Sequence, residues 1–310
     1  MTADKSISVV IAAWNAQDTL ARAIDSVLIQ SLPVAEVVVI DDGSTDATAA
    51  IALGYADCRV RVLQQPTNQG AAAARNAGVR IARGTWIAFL DADDVWHPTK
   101  LEKQMALVNI DANVSFVFCG SREYSATGQA WGDTFRGWPV TSGLEAWKAL
   151  LAHNVVATPT VVARRELLMA VGEFNEEMKV AEDQDMWIRL ALAGPVSYVP
   201  ECLVDVHEQV GSLSKWTVSD QRRYTLAMVE KYLEQLKEQL TSSEKRMIRG
   251  TRWRKTAQNA YAHGEFWYGM EMMWRSVLLG YRPVSCITAI ASMFFGHLLN
   301  GSRPARKAAV

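Results

Sequence analysis

The sequence predicts an α/β fold with a doubly wound, mainly parallel sheet flanked by helices. Strand-like and helix-like segments alternate over the first hundred residues, as they do in such folds. The strand-like runs are apolar along most of their length, which is typical of strands buried on both faces. Two of these runs end in clustered carboxylates. A buried strand must deliver such charges to the sheet edge where open α/β sheets bind ligands.

The N-terminal segments alternate in a regular order. Apolar residues recur at helical spacing in the segment after the first strand, which predicts a helix there. The predicted strands are residues 7–13, 36–40, 59–63 and 86–90, and the predicted helices are residues 15–31, 70–82 and 100–108.

The middle of the chain is less regular. It predicts a fifth strand at residues 114–119, a hairpin or loop at 123–140 and a helix at 142–152. Residues 158–163 form a short β-rich run containing Pro159, which has no N–H to donate to a sheet ladder. We therefore expect this strand at a sheet edge.

The pattern becomes helical from residue 218 onward. Helices are predicted at residues 220–240, 243–263, 265–279 and 284–299, with breaks near residue 241, at Gly264 and at 280–283. The prediction is a catalytic α/β domain at residues 1–217 and an all-α extension at 218–310.

Composition narrows the class of protein. The formal net charge of −1 gives no support for binding to nucleic acid. The four cysteines lie far apart without zinc-site spacing, which favours reduced thiols in the cytoplasm. No secretory signal is recognised at the start, and the apolar segment 284–299 is shorter than the ~20 residues a spanning helix needs. We expect a cytoplasmic protein.

Asp91, Asp93 and Asp94 form the densest acidic cluster, directly after the strand-like run 86–90. Clustered carboxylates repel one another unless a cation or hydrogen-bond donors balance them. Oxygen ligands suit hard divalent ions such as Mg²⁺ or Mn²⁺. The cluster therefore predicts a metal site that holds a phosphorylated substrate.

Six segments, in this order, resemble the motifs of family 2 glycosyltransferases, whose fold is called GT-A. Each is weak alone, but together they cover roughly residues 6–215. The segments are 8–15 (SVVIAAWN), 39–46 (VIDDGSTD), 68–78 (NQGAAAARNAG), 89–94 (FLDADD), Glu182-Asp183 with Trp187, and His207 with Ser212 and Ser214.

The resemblance implies a nucleotide-sugar site along the strand ends. The role of contacting the base and ribose falls first to Asp42 and second to Asp41. Arg75 would contact the diphosphate or the base. A carboxylate that accepts from a ring N–H or a ribose hydroxyl is chemically reasonable. The implied nucleotide-sugar-binding residues are Ala13, Asn15, Asp41, Asp42, Gly43, Arg75, Asp91 and Ala92.

The resemblance also assigns metal ligands. Asp93 would bind Mg²⁺ or Mn²⁺ directly, Asp91 would contact the metal or the ribose, and Asp94 would support them. His207 would approach the metal or diphosphate from a later loop. The metal would stabilise the departing nucleoside diphosphate as a Lewis acid.

The Glu182-Asp183 pair resembles the family's motif for the catalytic base. A sugar hydroxyl must lose its proton as it attacks, and Asp183 would accept it, with Glu182 orienting the acceptor. On a helix, Asp183 and Asp185 do not share a face, so the acids cannot all enter one site. We interpret Asp185 as a first-turn acid favoured by the helix dipole.

The function implied is an inverting, metal-dependent glycosyltransferase of surface polysaccharide or glycan synthesis. Its donor would be a UDP-, GDP- or dTDP-sugar, and its acceptor a saccharide or lipid-linked saccharide at the inner membrane face. The aromatic, basic C-terminal helices would touch the membrane, pack on the catalytic domain or contact another subunit in a homo-oligomer.

Two alternatives remain at this point. A nucleotidyltransferase should show a glycine-rich, basic loop after the first strand, whereas residues 12–15 read AAWN. A non-catalytic glycan-binding protein would keep the fold without the chemistry.

Overall fold

The computed structural model describes residues 5–134, 142–208, 220–282 and 285–292. Within them the chain divides into two compact units. The first contains the described residues up to 147, together with 155–178 and 182–208, and the second contains 148–154, 179–181 and the described residues from 220 onward. The predicted boundary between residues 217 and 218 lies outside the described residues.

The first unit contains one nine-stranded sheet and its flanking helices. Its strands are β1 (Ile7–Ala13), β2 (Glu36–Asp41), β3 (Val60–Gln64), β4 (Trp86–Asp91), β5 (Val95–Trp96), β6 (Phe116–Tyr124), β7 (Ala130–Asp133), β8 (Val162–Arg164) and β9 (Val196–His207). The helices of this unit are α1 (Leu20–Leu28), α2 (Thr48–Leu53), α3 (Ala71–Ile81), α4 (Lys100–Ile110), α6 (Arg165–Ala170) and α7 (Glu182–Ala193), with a 3₁₀ turn at Thr158–Thr160. Helix α5 (Ala146–Ala152) begins in the first unit and continues into the second.

The strand order is β3-β2-β1-β4-β8-β6-β9-β5, with β7 paired to β6. The strands β3, β2, β1 and β4 are mutually parallel, as predicted from the alternating pattern. Beyond β4 the sheet is mixed, since β8 runs antiparallel to both β4 and β6. The predicted α/β class is confirmed. The four N-terminal strands of the order form one parallel block, and β6 and β9 are also parallel to each other.

Burial on both faces explains the apolar runs of the N-terminal strands. In β2, Val37 and Val39 pack into the main core with α1 and α4. The alternate residues Val38 and Ile40 pack on the other face against Ala74 of α3. Successive side chains of a strand point to opposite faces, so a strand covered on both sides must be apolar at every position.

Helix α3 packs directly on β1 because Gly78 leaves room for Val10. A Cβ added at Gly78 would lie 2.3 Å from the Val10 Cγ1 atom. This close approach fixes the height at which α3 carries Arg75 above the sheet.

The predicted edge position of the strand near residue 160 is wrong. Strand β8 lies inside the sheet, between β4 and β6. Pro159 belongs to the 3₁₀ turn that precedes β8, so its missing N–H does not interrupt the ladder.

Sequence patterns did not predict β9, the longest of the described strands. Its burial does not alternate cleanly, and Pro200 lies near its middle. Beside Pro200, the pairing of β6 with β9 shifts register between Cys119 and Ser121. Because of this irregularity, the segment lacks the alternation of polar and apolar residues by which a strand is predicted.

The second unit is helical, as predicted. It contains a π-helical turn (Gln221–Leu226), α8 (Ala227–Gln235), α9 (Ser242–Ala262), α10 (Phe266–Leu278) and a helix α11 at residues 285–292. Thr241 and Glu244 form a reciprocal capping box that starts α9. The remainder of the predicted helix 284–299 lies outside the described residues. In the described part of the chain, no helix is long and apolar enough to cross a membrane.

Candidate active site

The two acidic strand ends lie on either side of β1. In the parallel registers, Ala13 pairs with Asp41 of β2, and Ala12 pairs with Asp91 of β4. The backbone N–H of Asp42 also donates to the Ala13 carbonyl oxygen at 2.8 Å. The acids predicted to line one crevice therefore share one sheet edge.

The loops after β1 and β2 are tied together by hydrogen bonds. The Asn15 N–H donates to Ser44 Oγ at 2.9 Å, and the Thr45 N–H donates to Asn15 Oδ1 at 2.9 Å. Asn15 has a positive φ of 47°, a conformation that asparagine tolerates better than most residues. Asp41 accepts from the Ser44 N–H at 3.2 Å within the same turn.

Asp42 holds the loop that leads into α3. Its two carboxylate oxygens accept from the N–H groups of Gln69 and Gly70, both at 2.8 Å. Gly43 next to it has a φ of +69°, and a Cβ there would lie 2.6 Å from the Thr67 carbonyl carbon. Asp42 thus has a structural role that the sequence did not reveal, and its contact with a nucleotide stays a prediction.

Arg75 connects the end of β4 with the start of α7. Its Nη2 donates to Asp91 Oδ1 at 2.9 Å, and its Nη1 donates to Glu182 Oε1 at 3.0 Å. The guanidinium is buried and lies 5.7 Å from the centre of the Phe174 ring. Although burial opposes the charge, Asp91 and Glu182 raise the pKa of Arg75 above its ordinary value. Arg75 therefore brings residues far apart in sequence into one site.

Three carboxyl groups lie close together at the end of β4. Burial, with the repulsion of Asp91, raises the pKa of Asp93 to about 6. Burial and the charges of Asp91 and Asp93 raise the pKa of Asp94 well above its ordinary value. Ala92 is buried between these acids. A positive ligand would favour ionisation of both carboxyls.

Arg22 and His207 also reach this cluster. Arg22 of α1 donates through Nη2 to the Asp93 carbonyl oxygen at 2.9 Å. The His207 N–H, at the end of β9, donates to Asp94 Oδ1 at 3.0 Å. Burial, with the charge of Arg22, lowers the pKa of His207, which favours the neutral ring that can bind a metal. Arg22 was not among the predicted site residues, because a single arginine on an amphipathic helix cannot be told from a solvent-exposed one by sequence.

The imidazole of His207 stacks on Tyr124, with ring centres 5.1 Å apart. Its assignment as a metal ligand stays a prediction. Across the ranges that the structure describes, no three His, Cys, Asp or Glu side chains are grouped closely enough to hold a metal ion.

The acids at the start of α7 have different partners. Glu182 is paired with Arg75. Asp185 accepts from Arg189 Nε at 2.8 Å and forms an ion pair with that guanidinium. Asp183 accepts from the Gln184 N–H at 2.6 Å. Asp185 thus forms an ion pair within its own helix, in agreement with the interpretation that kept it out of the site.

Comparison with known proteins identifies the family. The profile of glycosyl transferase family 2 matches residues 8–172, which is more than half of the chain. This segment contains β1 to β4, with both acidic strand ends, and Arg75.

Two curated relatives support the match. The chain is 31% identical over 235 residues to a Bacillus subtilis (strain 168) protein that carries the name teichuronic acid biosynthesis glycosyltransferase TuaG, covering 73% of this chain and 88% of that protein. It is 31% identical over 196 residues to the Escherichia coli UDP-Glc:alpha-D-GlcNAc-diphosphoundecaprenol beta-1,3-glucosyltransferase WfgD, covering 63% of this chain and 74% of that protein.

A solved structure supports the fold. Residues 1–349 of S. aureus TarS in complex with UDP superimpose with a TM-score of 0.66 at 19% identity, covering 98% of this chain and 94% of that chain. The predicted enzyme class is confirmed, and glycosyl transfer is favoured over nucleotidyl transfer and over non-catalytic glycan binding. The chain belongs to glycosyl transferase family 2.

Proposed function

We propose that the protein is an inverting glycosyltransferase that moves a sugar from a nucleotide-diphosphate sugar to an acceptor hydroxyl. The observation that carries this proposal is the position of Arg75 between Asp91 and Glu182. One buried cation joins the strand end assigned to the donor with the helix start assigned to the acceptor.

The reaction is a single displacement. The acceptor hydroxyl oxygen forms a bond to the anomeric carbon, and its proton passes to the carboxylate of Asp183. The bond between the anomeric carbon and the diphosphate oxygen breaks, and the nucleoside diphosphate leaves with the electron pair. Attack from the face opposite the leaving group inverts the configuration.

The family motif assigns the base to Asp183, in the first turn of α7. Glu182 beside it is held by Arg75. Glu182 is then suited to orient the acceptor, as the motif implies.

The residues after β4 fit a divalent cation. Mg²⁺ is usually bound by one or two carboxylates together with substrate phosphates, and a preformed cage of three protein ligands is not required. Asp93 and Asp91 would hold Mg²⁺ or Mn²⁺, with His207 as a further ligand. The raised pKa of Asp93 reflects charge that such an ion would offset. When bound, the ion would supply Lewis-acid stabilisation of the leaving diphosphate.

The names of relatives suggest the substrates. WfgD is named for UDP-Glc and a diphosphoundecaprenol-linked acceptor, and the TarS structure contains UDP. We therefore favour a UDP-sugar donor and a saccharide or lipid-linked saccharide acceptor. The setting would be synthesis of a surface polysaccharide at the cytoplasmic face of the membrane.

A panel of UDP-, GDP- and dTDP-sugars with Mg²⁺ or Mn²⁺ tests the donor assignment by thermal shift and release of nucleoside diphosphate. Asp183→Asn should lower turnover by about 10²–10⁴-fold while the donor Kd stays within about twofold. Asp185→Asn is the matched control and should retain most activity. No nucleotide-sugar binding or turnover would contradict the proposal, and near-normal turnover of Asp183→Asn would refute the base assignment.

A further inference from the structure

Helix α10 has two apolar faces. One face packs inside the helical unit, where Phe266, Met272 and Met273 contact the cluster around Ala257 and Cys286. On the other, Trp267, Trp274 and Leu278 are 76%, 49% and 83% exposed. Their spacing of seven and four residues puts them on one stripe of the helix, here called the Trp267 face.

The Trp267 face differs from an ordinary helix surface. An amphipathic helix normally has polar residues opposite its buried stripe, whereas here large apolar side chains are aligned in solvent. Aligned exposed apolar residues mark an interaction surface. Tryptophan combines an apolar ring with an N–H donor, and it is enriched where proteins meet the membrane–water interface.

The charge of the C-terminal segment identifies the kind of partner. Residues 218–310 contain fifteen Lys and Arg against seven Asp and Glu, a formal charge of +8, although the whole chain has −1. Glu271, the acid on the stripe, is paired with Arg275 at 2.8 Å. Such asymmetry favours a strongly anionic partner. It also disfavours a second copy, because self-association would bring two +8 segments together.

We propose that the Trp267 face docks on the surface of a bilayer that contains anionic lipids. The two tryptophans and Leu278 enter the headgroup region, and the Lys and Arg of residues 218–310 are attracted to the lipid charge. The contact is interfacial. It is independent of the donor and acceptor proposed above.

Co-sedimentation of the full chain with vesicles tests the inference. Vesicles of phosphatidylcholine with about one third phosphatidylglycerol are compared with phosphatidylcholine alone, at low and high NaCl. The wild-type protein should bind the anionic vesicles, and binding should weaken as salt screens the charges. The variant W267S/W274S/L278S should partition at least about tenfold less.

A matched control replaces three exposed apolar residues of the other unit, as I29S/L53S/I110S. This variant should bind vesicles within about twofold of wild type. The single variant W267S, at the more exposed of the two tryptophans on this face, should show a smaller loss. It serves as the test if the triple variant does not fold by circular dichroism.

Three results would overturn the proposal. The first is wild-type protein that binds neither vesicle at low salt. The second is Trp267-face variants that bind as well as the control. The third is a wild-type dimer and a W267S/W274S/L278S monomer in light scattering, with unchanged vesicle binding, which would assign the face to a second copy.

Discussion

The acids after β2 and the acids after β4 share one sheet edge but differ in how their charge is balanced. Asp42 is satisfied by the N–H groups of Gln69 and Gly70. In contrast, Asp94 is buried and Asp93 is half-buried beside Asp91, and the pKa values of both are raised by burial and by repulsion from neighbouring carboxylates. Two backbone donors satisfy the single carboxylate Asp42 at the first end, whereas three carboxyl groups are crowded together at the second.

This difference distinguishes an acid that stabilises the fold from acids that are suited to bind a ligand. A carboxylate that accepts two backbone hydrogen bonds stabilises the loop that it holds. Carboxylates crowded together cost stability, and such costs are found where a ligand is to be bound. We therefore expect substitutions at the two ends to change the free energy of unfolding with opposite signs.

The largest expected effect follows removal of Arg75, the cation that supports the β4 end. Arg75→Ala leaves Asp91 and Glu182 without their partner and should lower the free energy of unfolding by about 3–5 kcal/mol in urea denaturation. The control Arg80→Ala removes a half-exposed arginine from Glu173 and should cost only about 0–1 kcal/mol. Equal losses in the two variants would show that Arg75 has no special role.

Asp42→Asn tests the β2 end. The amide group of asparagine turns a donor toward one of the two N–H groups that Asp42 now satisfies, so one of them loses its acceptor. The free energy of unfolding should fall by about 1–3 kcal/mol. Asp57→Asn, at a partly exposed acid paired with Arg59, should leave the urea midpoint close to that of wild type. An unchanged urea midpoint in Asp42→Asn would show that Asp42 does not stabilise the loop, which would contradict the proposed difference between the acids after β2 and those after β4.

Asp93→Asn should have the opposite sign. The folded protein holds the Asp93 proton up to about pH 6, whereas an unperturbed aspartate releases it near 3.8. The carboxyl therefore costs stability increasingly as pH rises through this range. Urea denaturation should show Asp93→Asn more stable than wild type by about 1–2 kcal/mol at pH 7.5, allowing for solvent screening, and similar to it near pH 4. A variant less stable than wild type at pH 7.5 would contradict this account.

The framework of the fold could be predicted from local patterns. Continuous apolar runs predicted β1, β2 and β4, because strands covered on both faces must be apolar throughout. The same runs placed Asp41 and Asp91 at strand ends, and the parallel registers beside β1 agree with that prediction.

The remaining features depend on contacts between distant residues. The Asp94 carboxylate accepts from the N–H of His207, 113 residues later, through a strand that Pro200 and a register shift obscure. Arg75 and Glu182 are 107 residues apart. Helical or strand periodicity relates only residues that are near in sequence, so it cannot predict such pairs. The family resemblance could name these residues but not their hydrogen-bond and ion-pair partners.

The central claim is that the carboxyl cluster at the end of β4 binds a cation together with a diphosphate. The most direct test is calorimetric titration of UDP at pH 7.5, with and without Mg²⁺ or Mn²⁺. In wild-type protein the cation should strengthen UDP binding by at least about tenfold. In Asp93→Asn this strengthening should be lost while the protein remains folded. Equal cation-dependent strengthening in the two proteins would contradict the account.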